Sequence, residues 1–253
     1  TNQILYTMFN IFNKKLAPQP LIFATDIHCH VIPGIDDGSP DINVSAGLIE
    51  RMQSWGIKRI IATPHVTMST FENNPQTVRP ALESLIVELE RRDNNIEISN
   101  AAEYRLDELF LDHMEKGILM PYPNNYILVE NSFIQEPWNV EQVLFDLKVK
   151  GYKPILAHPE RYSYYHNRFE RYDAIYRSGT MFQVNLLSLA GYYGKAEKKT
   201  AEMLVEKNMV NFLGTDLHNH RHADAIEGYL ASKDYRRHSL ALQSRICNDV
   251  YFN

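Results

Sequence analysis

The stretch Thr25 to Asp41, TDIHCHVIPGIDDGSPD, sets two histidines one residue apart at the end of an apolar run and follows them with adjacent aspartates. In an extended strand alternate side chains share a face, so His28 and His30 point the same way, as do Asp216 and His218 in GTDLH. Two such groups presented together act as a pincer on one cation or on two adjacent ones. Imidazole with carboxylate and no thiolate suits manganese, iron or zinc better than calcium or a structural zinc site. Single residues of the same types end other apolar runs: His65 in ATPH, Glu103 in NAAEY, Glu130 in ILVENS and His158 in ILAHP.

Taken alone, each histidine reads more readily as a hydrogen-bonded core or rim residue, and Glu130 equally well as half of a buried ion pair. Together they read differently, because burying the whole set without cations carries a desolvation cost that cations remove. Cys29, between the two histidines, faces the other side of its strand and reads as core. His113, His166 and His238 fall in helical or loop segments and are expected to face solvent. His220 and His222 follow Asp216 closely enough for a supporting or substrate-contacting role.

The elements that must position these groups alternate along the chain. After Pro18 and Pro20, short β-branched apolar runs alternate with stretches of helical period. Strands are expected at LIFATDI, IKRIIATP, IEISNAAEY, NYILVENS, YKPILAHP, MFQVNLLS and MVNFLGTDLH. Helices are expected at 41–56, capped by Asp41 and ended by Gly56, and at 75–95, 139–151, 169–179 and 195–208. About seven such units in order call for parallel strands joined by helical crossovers. The strand C-termini of a parallel barrel form one mouth, where residues scattered in sequence converge. The segment from Ala223 to about Ile246 is expected to be helical and to pack outside. The expected organisation is an N-terminal arm at 1–20 and one barrel domain at 21–253 that includes this segment.

Composition narrows the class further. A chain of 253 residues with 44% hydrophobic residues and net charge -5 offers no electrostatic reason to bind nucleic acid. Cys29 and Cys247 are the only cysteines and make neither a disulfide framework nor a thiolate metal site, which suits a reducing cytoplasm. The opening TNQILYTMFNIFNKKLAPQP carries Lys14 and Lys15 after its apolar stretch, the reverse of a secretory signal. No later apolar run approaches the roughly 20 residues that span a membrane. A cytoplasmic protein without stable membrane insertion is therefore expected.

DIHCH, TPH, AEY, AHPERY and TDLH, in that order, resemble the PHP (polymerase and histidinol phosphatase) family. IDDGS and HPERY narrow the resemblance to the bacterial tyrosine-protein phosphatases of capsule and exopolysaccharide operons, from about Asp26 to His218. The resemblance implies a distorted (β/α)7 TIM-like barrel with three metal ions, usually manganese in this branch, at the C-terminal ends of the strands. Carried over by motif, one ion takes His28, His30, Glu103 and Asp216, and a second takes Asp37, His65 and His218. A third takes Glu130 and His158, with Glu103 as a bridge. Asp37 matches the family ligand, whereas Asp36 reads equally as a turn or supporting residue. The implied substrate is phosphotyrosine on the tail of a bacterial tyrosine kinase that controls polysaccharide export.

On that ligand set, Asp37, Glu103, Glu130 and Asp216 offset four of the six charges of three divalent ions, and the excess favours a phosphate monoester. The expected reaction is attack by metal-activated hydroxide without a phosphoenzyme, since the chain has no Cys-x5-Arg run. Arg161 in HPER and Arg105, two residues past Glu103, are candidates to grip phosphate, with a rim ion pair as the alternative for Arg161. Tyr104 and the YSYY run at 162–165 could frame an aromatic substrate or pack at the surface. One departure is the loop VTMSTFENN after His65, where this branch often carries basic residues. Rival readings are a phosphatase of a small metabolite such as histidinol phosphate, and a non-catalytic phosphopeptide-binding regulator. A C–N hydrolase is disfavoured because no lysine stands at a mid-chain strand end.

Overall fold

Pro64 lacks the N–H that a central strand donates, and the sheet divides around it. The computed structural model describes residues 17–252, so most of the expected N-terminal arm lies outside the described residues. In chain order the strands are β1 (Thr25–Asp26), β2 (Arg59–Ala62), β3 (His65–Thr67), β4 (Phe71–Glu72), β5 (Glu97–Asn100), β6 (Glu103–Arg105), β7 (Tyr126–Glu130), β8 (Lys153–Ala157), β9 (Met181–Asn185) and β10 (Phe212–Gly214). One sheet has the order β1-β2-β5 and the other β10-β9-β8-β7-β6-β3-β4, all parallel except the β3–β4 hairpin.

Since β2 runs on into β3 and β5 into β6, these are seven barrel strands in sequence order. Backbone bonds stitch the break: Ala101 donates to the Ala62 carbonyl and Glu103 to that of Pro64. At the other seam Asp216 donates to the His28 carbonyl and His30 to that of Leu217, so the last strand returns to the first. The expected α/β barrel is therefore present, with two of its strands interrupted.

The helices are α1 (Ile42–Ser54), α2 (Pro75–Arg91), α3 (Glu108–Lys116), α4 (Val140–Val149), α5 (Phe169–Arg177), α6 (Leu186–Ala190), α7 (Lys195–Glu206), α8 (His220–Leu230), α9 (Lys233–Leu242) and α10 (Asn248–Tyr251). Asp41 caps α1 by accepting from Asn43 and Val44, and Gly56 follows its end at φ 102°. In α2, Leu82, Leu85 and Leu89 are buried as the periodicity requires. The expected strand MFQVNLLS is shorter: it ends at Asn185, and the chain turns into α6, whose Leu186, Leu187 and Leu189 face the core. α3 has no counterpart in the sequence expectation; Asp107 caps it by accepting from Phe110. The closing segment is two helices, the second capped by Ser232.

Below the mouth lies a small apolar core that includes Ile61, Ala101 and Leu128. These precede His65, Glu103 and Glu130 by even numbers of residues and so share their face. His113 and His238, expected at the surface, are buried; Nδ1 of His238 is 2.7 Å from the Tyr229 hydroxyl, and His113 packs edge-on to Tyr104. His166 is half-buried and donates to the Glu160 carbonyl. Among the described residues no helix is long and apolar enough to cross a membrane.

Candidate metal centre

Glu103 opens β6, just past the break in its strand, with a carboxylate wholly removed from solvent and surrounded by imidazoles. Its Oε2 lies 3.2 Å from His28 Nε2, 3.4 Å from His30 Nε2 and 3.1 Å from His65 Nδ1. Its Oε1 lies 2.8 Å from His158 Nε2. Around this residue the ligand atoms fall into overlapping sets: His28, His30 and Asp216; His30, Asp37, His65 and His218; His65, Glu103 and Glu130; and His28, Glu103 and His158. All nine metal-site residues expected from the sequence are therefore gathered in one place. The first set holds three of its four expected residues and lacks Glu103, and the second holds the expected Asp37, His65 and His218 together with His30. In the remaining sets Glu130 is grouped with His65, and His158 with His28.

Buried polar atoms without a hydrogen-bond partner concentrate here: His28 Nε2, His30 Nε2, His65 Nδ1, Glu103 Oε2 and Glu130 Oε2. Buried donors and acceptors are normally satisfied, and these five converge on a common space. Nitrogen and oxygen donors at such spacing fit divalent cations.

The electrostatics lead to the same conclusion. Burial alone would pull the His28 imidazole down, yet Glu103 and Asp216 push it up to about 9. Glu130, buried beside Glu103, is pushed up to about 7. Burial also raises the Glu103 carboxyl, but His28 and His65 outweigh it and hold the group well below the usual range. Asp37, 3.5 Å from His218 Nε2, is lowered to about 2 by that imidazole, with His65 adding to the effect. The two carboxylates beside His28 thus favour positive charge at that position, whereas burial lowers the neighbouring His158 to about 4.

Supporting groups orient these side chains. Asp36 accepts from His30 Nδ1 at 2.8 Å, from the His65 amide and from the Gly38 amide, which is the supporting reading left open for it. A Cβ at Gly38 would lie 2.2 Å from the His30 carbonyl oxygen, so only glycine lets this loop approach. His158 at φ 33° and Asp216 at φ 50° hold left-handed conformations that are unfavourable outside glycine, and both turn their side chains into the centre. Asp216 divides its work: Oδ2 accepts from Asn185, Arg161 and Tyr193, while Oδ1 faces His28, His30 and His218.

Above the cluster opens a cavity of about 460 Å³, lined in part by Asp37, Arg105, Phe133, Arg161, Tyr193 and His222. Arg161 pairs with Asp216 at 3.0 Å, and its guanidinium lies 4.7 Å from the Phe133 ring and 4.0 Å from that of Tyr193. Arg105 donates to Glu130 at 3.2 Å. The loop after His65 forms the β3–β4 hairpin, and its Thr67, Thr70 and Phe71 line the cavity. His222 reaches the wall, while His220 begins α8.

The tyrosines considered as substrate frames lie elsewhere. Tyr104 is buried and accepts from the Met120 amide; Tyr162 and Tyr165 are buried against Asn131. Phe71, Phe133 and Tyr193 are the aromatic residues at the mouth. Gln183 and Asn185, which contact His28 and Asp216, were also missed; their even spacing at a strand end was the available signal. Cys29 is buried in the core, and burial raises its thiol well above the ordinary range.

The family model for capsular polysaccharide synthesis, CpsB/CapC, matches residues 24–227. The chain is similar to the tyrosine-protein phosphatase YwqE of Bacillus subtilis (strain 168), with 35% identity over 195 residues, 77% of each chain. It is similar to the tyrosine-protein phosphatase CpsB of Streptococcus agalactiae serotype V, with 30% identity over 204 residues, 77% of this chain and 82% of that one. A solved structure from YwqE of Bacillus subtilis and CpsB of Streptococcus pneumoniae, described as unique metal-dependent tyrosine phosphatases, aligns with TM-score 0.74 and 31% identity. That alignment covers 87% of this chain and 95% of the other.

Proposed function

Since the chain belongs to the CpsB/CapC family of capsular polysaccharide synthesis proteins, we propose that it is a metal-dependent protein-tyrosine phosphatase acting on the phosphorylated tail of a capsule-associated bacterial tyrosine kinase. The observation that carries the reading is Glu103, a buried carboxylate within 3.4 Å of four imidazoles beneath an open cavity.

Three divalent cations, most simply manganese with iron or zinc as substitutes, are assigned to His28, His30, Glu103 and Asp216; to Asp37, His65 and His218; and to Glu103, Glu130 and His158. Bound there, they would polarise the phosphoryl group and provide a nucleophile from water near neutral pH. The protein's own groups do the rest. Asp36, Gln183 and Asn185 hold His30, His28 and Asp216 in orientation, and Glu103 would belong to two of the assigned sites. Arg161 spends one N–H on Asp216 and, at 23% exposure, has others for a phosphate oxygen; Arg105 is the second such group. The aromatic rim suits a phenol ring. Residues 21–253 are read as one barrel domain, supported by Asp249 and Asn248 near the C-terminus, which bind the Ala24 and Thr25 backbone beside β1. Free thiols at Cys29 and Cys247 support a cytoplasmic location.

The test is phosphate release from a phosphotyrosine peptide by chelator-stripped protein, with and without manganese, alongside histidinol phosphate. Manganese-dependent turnover of the peptide and little of the metabolite is expected. Faster turnover of histidinol phosphate would reassign the substrate, and metal binding without turnover of either would leave a phosphopeptide-binding role.

A further inference from the structure

Of the seven barrel strands, β9 alone brings no ionisable side chain to the centre; its mouth carries Gln183 and Asn185, two residues apart and both fully buried. These amides form a continuous line between ligands on the last and first strands. Asn185 Nδ2 donates to Asp216 Oδ2 at 2.6 Å, Gln183 Nε2 donates to Asn185 Oδ1 at 2.8 Å, and His28 Nδ1 lies 2.7 Å from Gln183 Oε1.

The direction of this line is forced from both ends. An ionised carboxylate only accepts, so Asn185 must turn its NH2 toward Asp216 and its oxygen toward Gln183. Gln183 must then present NH2 to Asn185 and its oxygen to His28. At that end the His158 amide also points at Gln183 Oε1, at 3.4 Å, and so calls for an oxygen there as well. The acceptor facing His28 therefore holds a proton on Nδ1. That leaves Nε2, the atom 3.2 Å from Glu103 and without a hydrogen-bond partner, as the nitrogen that would face a cation. Space is reserved for the arrangement: a Cβ on Gly214 would lie 2.6 Å from Gln183 Nε2 and 2.7 Å from His28 Cβ.

We infer that Gln183 and Asn185 are positioning residues that act as one unit, setting from Asp216 which nitrogen of His28 faces the cation. The inference rests on the assignment of a cation to His28, His30, Glu103 and Asp216. Outer partners of this kind typically change metal affinity by about 10–100-fold.

The experiment is equilibrium dialysis of manganese against wild-type protein, Gln183→Met, Asn185→Leu and the double variant, with bound metal counted and the chelator-stripped melting temperature recorded. Each single variant is expected to weaken one ion by about 10–100-fold, and the double variant to lose no more than the worse single one. Binding within threefold of wild type in folded variants, or losses that multiply in the double variant, would overturn the inference. A wild type that binds no manganese would instead fail the cation assignment. If the variants do not fold, zinc-loaded wild-type protein labelled with 15N-histidine decides: a slowly exchanging proton on His28 Nδ1 is expected, and a proton on Nε2 overturns the inference.

Discussion

Oδ2 of Asp36 lies 2.8 Å from Nδ1 of His30, while the carboxylate of its neighbour Asp37 points to His65 and His218 at 3.5 Å each. Two adjacent aspartates thus serve opposite sides of one imidazole cluster. Asp36→Asn keeps the shape but removes the charge that orients His30, and a 10–100-fold loss of metal affinity is expected, with full occupancy recovered at high manganese. Asp37→Asn is expected to lose one ion outright. Metal counts across a manganese titration separate the two; identical behaviour would contradict the division of labour.

Arg161 stands between two rings and one carboxylate, so its position is set before a substrate arrives. A charge-assisted bond to phosphate is worth about 1.5–3 kcal/mol, so Arg161→Ala is expected to lower kcat/KM for a phosphotyrosine peptide by about 10–100-fold. Arg161→Lys should recover part of this because it keeps charge but loses the planar fork. Unchanged peptide kinetics at full metal occupancy would remove Arg161 from substrate binding.

Asp26 is fully buried, accepts from Thr215 Oγ1 at 2.6 Å, and is pushed up to about 6 from 3.8 by burial. Its folded value exceeds the unfolded one, so its contribution to stability is complete below about pH 3.8 and lost as pH rises through about 6. The loss is on the order of 3 kcal/mol at neutral pH. Asp26→Asn, which stays neutral and can keep the same partners, should therefore be more stable than wild type at pH 7 and similar near pH 4. Denaturant melts of chelator-stripped protein at both pH values measure this, and a constant difference between them would contradict it.

Cys29 packs in the core with its thiol held protonated by burial. Cys29→Ala is expected to keep kcat within about threefold while losing on the order of 1 kcal/mol of stability. A folded, metal-loaded but inactive variant would reopen thiol chemistry.

The ionisable part of the centre was legible because it obeys two simple periods: side chains two apart on a strand share a face, and the C-termini of parallel strands share a mouth. That logic located His65, Glu103, Glu130 and His158 without knowledge of any contact. Gln183 and Asn185 escaped it because an uncharged amide at a strand end carries no cost that a sequence displays; only its partners make it important. Arg161 was named, but its ring partners come from Phe133 and Tyr193, on segments whose paths depend on tertiary packing. The same limit hid the burial of His113 and His238, since nothing local distinguishes a packed helical histidine from a solvated one. The breaks in the first strands follow from Pro64, which was visible but read as a strand end rather than an interruption.

The hydrogen bond from Asp216 to the His28 carbonyl also has a consequence for synthesis. Asp216 and the His28–His30 pair are separated in sequence by almost the whole barrel, and contacts at such separation form late because most of the chain must be ordered before they can close. A nascent chain that has emerged only through α7 carries His28, His30, His65 and His158 but has no Asp216, no His218 and no seam. It is then a collection of acidic and imidazole groups awaiting their last strand, so enzymatic competence should arise in a single late step rather than grow with chain length.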